Sequence, residues 1–277
     1  MQTTSPLTCV DTDEVADALA TLKRDGYCVM KGVIPTDEVA AVRDSVEKTV
    51  RKHTMLPLPK GFVTGLLRLD QSIAPYLAEP RLMAVVDRLF GDHARISMLS
   101  GALNGPGIKR GDVHADWPFN QNSKARIRAP YPDVLVNLVT MWMLTDYTVE
   151  NGGTIVIPGS HKRDYAPKHG TQYDPKATYP GEVQLVGSAG DVGLFDARTW
   201  HAIAPSTASM PRVGVIVRYA PWWLNLQTLH PGTRDHQQIV AANHGDDSTV
   251  ELVPASIYKN LPEDVKPLVY HMVDENS

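Results

Sequence analysis

Cysteine is almost missing from this chain: Cys9 and Cys28 are its whole complement over 277 residues. Two thiols cannot staple a disulfide scaffold, and their scarcity fits a reducing, cytoplasmic setting. Nowhere does an apolar run approach the ~20 residues needed to cross a bilayer, so no membrane anchor is expected. The stretch MQTTSPLTCVDTDEV lacks a basic segment followed by an apolar one, and no secretory leader is expected there. A strong charge of one sign is lacking too. The net charge of -4 gives no reason to expect a nucleic-acid partner. Internal repeats, low-complexity tracts and an interdomain linker are also absent. What remains is a globular composition, 43% hydrophobic, enough for a substantial core. One large domain over 1–277 accommodates it, and the oligomeric state stays open.

The pattern changes twice along the chain. A helical part with one strand covers 12–94. Asp11 or Thr12 can cap a helix through EVADALATLKRDG, which Gly26 ends. YCVMKGV reads as a strand. Pro35 to Glu38 then open a second helix with Val39, Val42, Val46 and Val50 at helical spacing. A third helix runs from near Pro80 to Gly91. Over 95–222 the chain reads as strands: RISMLSGAL, DVHADW, VLVNLVTMWML, GTIVIP, EVQLVG, GDVGLFD, TWHAIA and RVGVIVRYAPWW. They are short, rich in Val and Ile, and separated by turn formers. Eight such strands predict a mainly β protein with flanking helices, its core an antiparallel jelly roll with a usable interior. Asn151-Gly152 predicts a hairpin turn between two of them. A C-terminal extension, 223–277, turns polar and ends in a helical segment, PEDVKPLVYHMVDE.

Histidine and aspartate carry the chemistry. His114 and Asp116 stand two residues apart in RGDVHADWPF, so on an extended strand they share one side. A second such pair, His244 and Asp246, lies among turn formers in AANHGDDST and reads as a solvated loop. His201, in FDARTWHAIAP, can add a second imidazole to the first pair. Two imidazoles and a carboxylate on one face leave three adjacent coordination positions open, as in non-haem Fe(II) oxygenases, which activate O2. The usual electron-rich partner in such enzymes is 2-oxoglutarate. Its distal carboxylate needs a cation, and the planar fork of arginine suits it. Arg212 and Arg218 both qualify. They have the same parity on RVGVIVRYA, periodicity does not choose between them, and Gly214 leaves room on their inward face.

Other residues have plainer readings. Trp142 sits in an apolar strand, where core packing is the default. His161 reads as a loop-ordering histidine, Asp191 and Asp196 as turn formers. His230 and His236 lack ligand spacing. The insert 118–133 is either a lid or an ordinary surface loop. Lys109, Arg110, Lys124, Arg126 and Arg128 either attract an anionic substrate or form a solvated face. Trp117, Phe119 and Tyr131 suit an apolar pocket.

The string ENGGTIVIPGSHKR (150–163), with HAD at 114–116, WH at 200–201 and Arg212, resembles the phytanoyl-CoA dioxygenase family. The resemblance runs from about residue 12 to the C-terminus and is strongest over 95–222. It implies a double-stranded β-helix and Fe(II)- and 2-oxoglutarate-dependent oxidation of a small-molecule or natural-product substrate. It implies His114, Asp116 and His201 as metal ligands, Arg212 as the 2-oxoglutarate anchor, and Trp142 as a wall beside that cosubstrate. Several relatives carry Ser two residues after the second His; here Ile203 stands there. The family's halogenating branch lacks the carboxylate, so Asp116 points to hydroxylation or another oxidation by hydrogen abstraction. Two alternatives stand beside this: a cupin-like dioxygenase or isomerase that needs no 2-oxoglutarate, and a binding barrel with a vestigial triad.

Overall fold

The computed structural model describes residues 12–54, 56–116, 132–165, 167, 174, 177–224, 232, 234, 237 and 252–275. Helix α1 (Thr12–Asp25) leads into strand β1 (Tyr27–Met30), with Gly26 closing the helix through its N–H to the Leu22 carbonyl. Helix α2 (Val39–His53) starts later than Pro35, because residues 35–38 form a turn in which the Pro35 carbonyl accepts from Glu38 and Val39. Strand β2 (Lys60–Val63), helix α3 (Leu66–Leu69) and helix α4 (Pro80–Phe90) follow. The Glu79 side chain caps α4 by accepting from the Leu82 N–H at 2.9 Å.

The rest is a jelly roll of two antiparallel sheets. Strands β3 (Ala94–Asn104), β4 (Leu138–Met143), β7 (Val192–Asp196) and β9 (Arg212–Pro221) form the large one, in the order β1-β7-β4-β9-β3-β2. Strands β5 (Ile155–Val156), β6 (Val183–Gln184) and β8 (His201–Ala202) form the small one, in the order β6-β5-β8. Six of the eight strand segments read from the sequence shrink to shorter strands and RISMLSGAL grows slightly, while DVHADW survives only as a bridge at His114. Asn151-Gly152 does not close a hairpin. The turn sits between β4 and β5, which belong to different sheets, so it carries the chain from one layer to the other. The C-terminal helical segment is broken into Lys266–Val269 and a 3-10 turn, Tyr270–Met272. Among the described residues no helix is long and apolar enough to cross a membrane.

The large sheet has two unlike faces. One packs under the helices. Val39, Val42, Val46 and Val50 of α2 are all buried, worth about 1.5 kcal/mol or more apiece. Val50 fits between two glycines of paired strands: a Cβ on Gly61 or Gly101 would lie 2.8 or 2.7 Å from its methyls. The other face looks toward the small sheet and lines a cavity of about 310 Å³, the size of a small-molecule site.

Candidate metal centre

Backbone pairing sets the site. His114 and His201 form an isolated antiparallel bridge, each N–H donating to the other's carbonyl at 3.0 and 2.8 Å. The Asp116 N–H donates to the Ala197 carbonyl at 2.9 Å. His114 and Asp116 therefore emerge on the side that faces the His201 ring, whose centroid is 4.3 Å from that of His114.

Both imidazoles are held the same way. Nδ1 of His114 lies 2.9 Å from the Asp112 carbonyl, and Nδ1 of His201 lies 2.9 Å from the Thr199 carbonyl. A carbonyl only accepts, so each Nδ1 carries the proton and each Nε2 offers a lone pair. The Nε2 atoms sit 3.8 and 3.7 Å from the Asp116 carboxylate oxygens. These gaps are too long for hydrogen bonds. One ligand atom from each residue falls within 4.8 Å of the other two. Burial works to raise the Asp116 carboxyl, but Arg218, then His201 and His114, outweigh it and hold it down to about 2. Two neutral nitrogens and one ionised carboxylate make a donor set suited to a divalent transition metal.

The two arginines face inward, and they differ. Arg218 pairs with Asp116, Nη2 to Oδ2, at 3.0 Å. Arg212 is 5% exposed, and among the described residues no carboxylate pairs with it. Its guanidinium stacks 4.4 Å above the Tyr147 ring and reaches Thr154 Oγ1 at 3.4 Å. A buried guanidinium without an acidic partner favours an anion in the adjoining cavity. The cavity holds Arg212 and the three residues of the triad in one space. Tyr147 and Thr154 escaped the sequence reading. Thr154 follows the NGG turn directly, and that position was the available signal. Gly214 is required here, because the Tyr147 hydroxyl lies where its Cβ would be. Burial pushes the Tyr147 phenol up, with Arg212 opposing. Ile203 lines the same cavity.

Trp142 corrects the resemblance. Its side chain is fully buried in the helix-side core, with Nε1 donating to Thr140 Oγ1 at 2.9 Å, and it does not line the cavity. Strand parity is the reason. Val139 and Met141 face the cavity, which turns Trp142 the other way. Arg110 is not a free cation either, since Glu182 holds it at 2.7 Å. His161 orders a loop by packing on Gly26 near the Lys23 carbonyl. Asp191 clamps Lys31 and Gly32, and Asp196 holds Arg198. Trp117, Phe119, Lys124, Arg126, Arg128, Tyr131, His230, His236, His244 and Asp246 lie outside the described residues.

A jelly roll whose interior gathers two histidines, an aspartate and an arginine that pairs with no carboxylate among the described residues defines the class. The chain belongs to the phytanoyl-CoA dioxygenase (PhyH) family, whose model matches residues 22–214. Among curated relatives, an uncharacterised protein of Mycobacterium tuberculosis (strain ATCC 25618 / H37Rv) is 27% identical over 218 residues, 73% of each chain. The dioxygenase andF of Emericella variicolor is 25% identical over 228 residues, 75% of this chain and 74% of that one. Among solved structures, the epimerase SnoN in complex with Fe3+, alpha ketoglutarate and nogalamycin RO superposes with a TM-score of 0.62 at 22% identity. That match covers 80% of this chain and 92% of SnoN, and it supports the fold.

Proposed function

We propose that this chain is an Fe(II)- and 2-oxoglutarate-dependent dioxygenase that oxidises, most simply hydroxylates, a C–H bond of a small organic substrate. One observation carries the reading: the His114, Asp116 and His201 donors and Arg212, which meets no carboxylate among the described residues, open onto one cavity. His114, Asp116 and His201 would hold the iron, and Arg212 the far carboxylate of 2-oxoglutarate. Iron and 2-oxoglutarate supply the O2 chemistry, with succinate and CO2 released. The chain's own contribution is placement. The Asp112 and Thr199 carbonyls fix the ring tautomers. Arg212, held over Tyr147 and against Thr154, offers a preoriented fork. Phe62, Met98 and Ile216 add apolar side chains to the lining of the same cavity.

The test begins without oxygen. Fe(II) plus 2-oxoglutarate is expected to give the weak visible charge-transfer band of the chelate, lost in His114→Ala. Folded wild-type protein that develops no band sinks the proposal. With O2, a substrate panel is expected to release succinate and a product heavier by one oxygen. SnoN is named an epimerase, so a product of unchanged mass would replace hydroxylation with another hydrogen-abstraction outcome. Turnover that needs no 2-oxoglutarate would favour the cupin-like alternative.

A further inference from the structure

The inward face of β9 runs Arg212, Gly214, Ile216, Arg218, and the last of these has no part in the reading above. Its neighbours in register are Met98 and Val139, both apolar. Its charge must therefore be met inside the cavity, and among the described residues Asp116 is the carboxylate that meets it, at 3.0 Å. Both side chains are mostly shielded, 23% and 12% exposed. This is not the loose surface pair whose worth is near zero.

Each donor of the triad now has one outer partner. His114 has the Asp112 carbonyl, His201 has the Thr199 carbonyl, and Asp116 has Arg218. The two histidine partners are backbone, fixed by the strands. The carboxylate partner is a side chain, and its closest contact, Nη2 to Oδ2, is made to one of the two oxygens. A carboxylate can grip a metal with one oxygen or with both. Two-oxygen binding would consume one of the three positions that a cosubstrate and O2 need.

We infer that Arg218 is a positioning residue that keeps Asp116 a one-oxygen ligand by occupying its other oxygen. The inference rests on the proposed metal role of His114, Asp116 and His201. It also divides the work of the two arginines. Arg218 is committed to Asp116, and Arg212 is the one left for an anion.

Co(II) in anaerobic protein is the probe, because its visible d–d bands report coordination number without turnover. Cobalt affinity is a poor readout. Removing a nearby cation strengthens metal binding, while loosening a ligand weakens it, so the two effects oppose. Band shape and 2-oxoglutarate affinity are the measurements. In Arg218→Met the d–d spectrum is expected to change shape, and 2-oxoglutarate affinity of the cobalt protein to fall about tenfold or more, as for other outer partners of metal ligands. Arg218→Lys keeps the charge but not the fork, and is expected to fall between. Arg212→Met is expected to lose 2-oxoglutarate while keeping the wild-type cobalt spectrum. If Arg218→Met is poorly folded by circular dichroism, the Arg218→Lys spectrum decides alone. A cobalt spectrum in the Arg218 variants that superimposes on wild type overturns this inference and leaves the metal site standing. Wild-type protein that binds no Co(II) overturns both.

Discussion

The two ends of the inward face of β9 carry the same side chain in opposite electrostatic circumstances. At one end Arg218 is spoken for by Asp116. At the other, Arg212 is more deeply buried, rests on an aromatic ring and a hydroxyl, and meets no described carboxylate. Both positions have the same residue type and the same parity, so their difference comes wholly from what the neighbouring strands bring. The comparison teaches that an arginine's role in such a barrel is read from its partner and not from its spacing.

The strongest way to break this contrast is to remove the group that creates it. Asp116→Ala takes away both a proposed metal ligand and the partner of Arg218. Loss of detectable Fe(II)–2-oxoglutarate absorption is expected, with the fold retained by circular dichroism. Next in size is Arg212→Met. Two charge-assisted hydrogen bonds are lost there, and an effect of about 2.7 kcal/mol, near 100-fold in 2-oxoglutarate affinity, is expected. Calorimetry on the anaerobic cobalt protein measures it. An affinity within a few-fold of wild type would show that the cavity's anion is held elsewhere.

A smaller effect sharpens the contrast between the sheet's two faces. Trp142→Phe is expected to cost about 1–2 kcal/mol of stability, from lost volume and the lost bond to Thr140, and to leave 2-oxoglutarate affinity unchanged. A denaturant melt and the same calorimetry give the two numbers. A weakened cosubstrate would restore Trp142 to the site.

A pH dependence at the Arg218 end completes the set. The Asp116 carboxyl has a native value of about 2 against an ordinary 3.8. A depressed value means the folded state prefers the ionised form. The resulting stability is fully present above about 3.8 and is lost as pH falls through about 2. Metal-free Arg218→Met should therefore unfold at a higher pH than wild type in an acid titration followed by fluorescence. Coincident curves would mean the pair adds nothing to the apoprotein.

Much of this was legible in the sequence, and for physical reasons. The alternation of His114 and Asp116 and the parity of Arg212 and Arg218 are period-two facts, and strands obey them wherever they pair. Val39, Val42, Val46 and Val50 are buried as their helical spacing predicts. Other features were hidden because they depend on partners. LVTMWM has Thr140 as its one polar residue, and each of its six residues is buried, so polarity could not reveal which face held Trp142. The Asn151-Gly152 turn carries a hairpin signal, yet the strands it joins pair elsewhere. Strand β2 is short and follows Pro57 and Pro59, and its Phe62 reached the cavity unannounced. Tyr147 and Thr154 earn their place only through Arg212, a partner distant in the chain.

The reciprocal bridge between His114 and His201 has one more consequence. It joins segments far apart along the polypeptide, a contact that loop entropy delays during folding. A divalent ion gripping both imidazoles would act as a reversible rivet across that late seam. Since only the closed form could bind it, occupancy would register as heat resistance that grows with the logarithm of metal concentration.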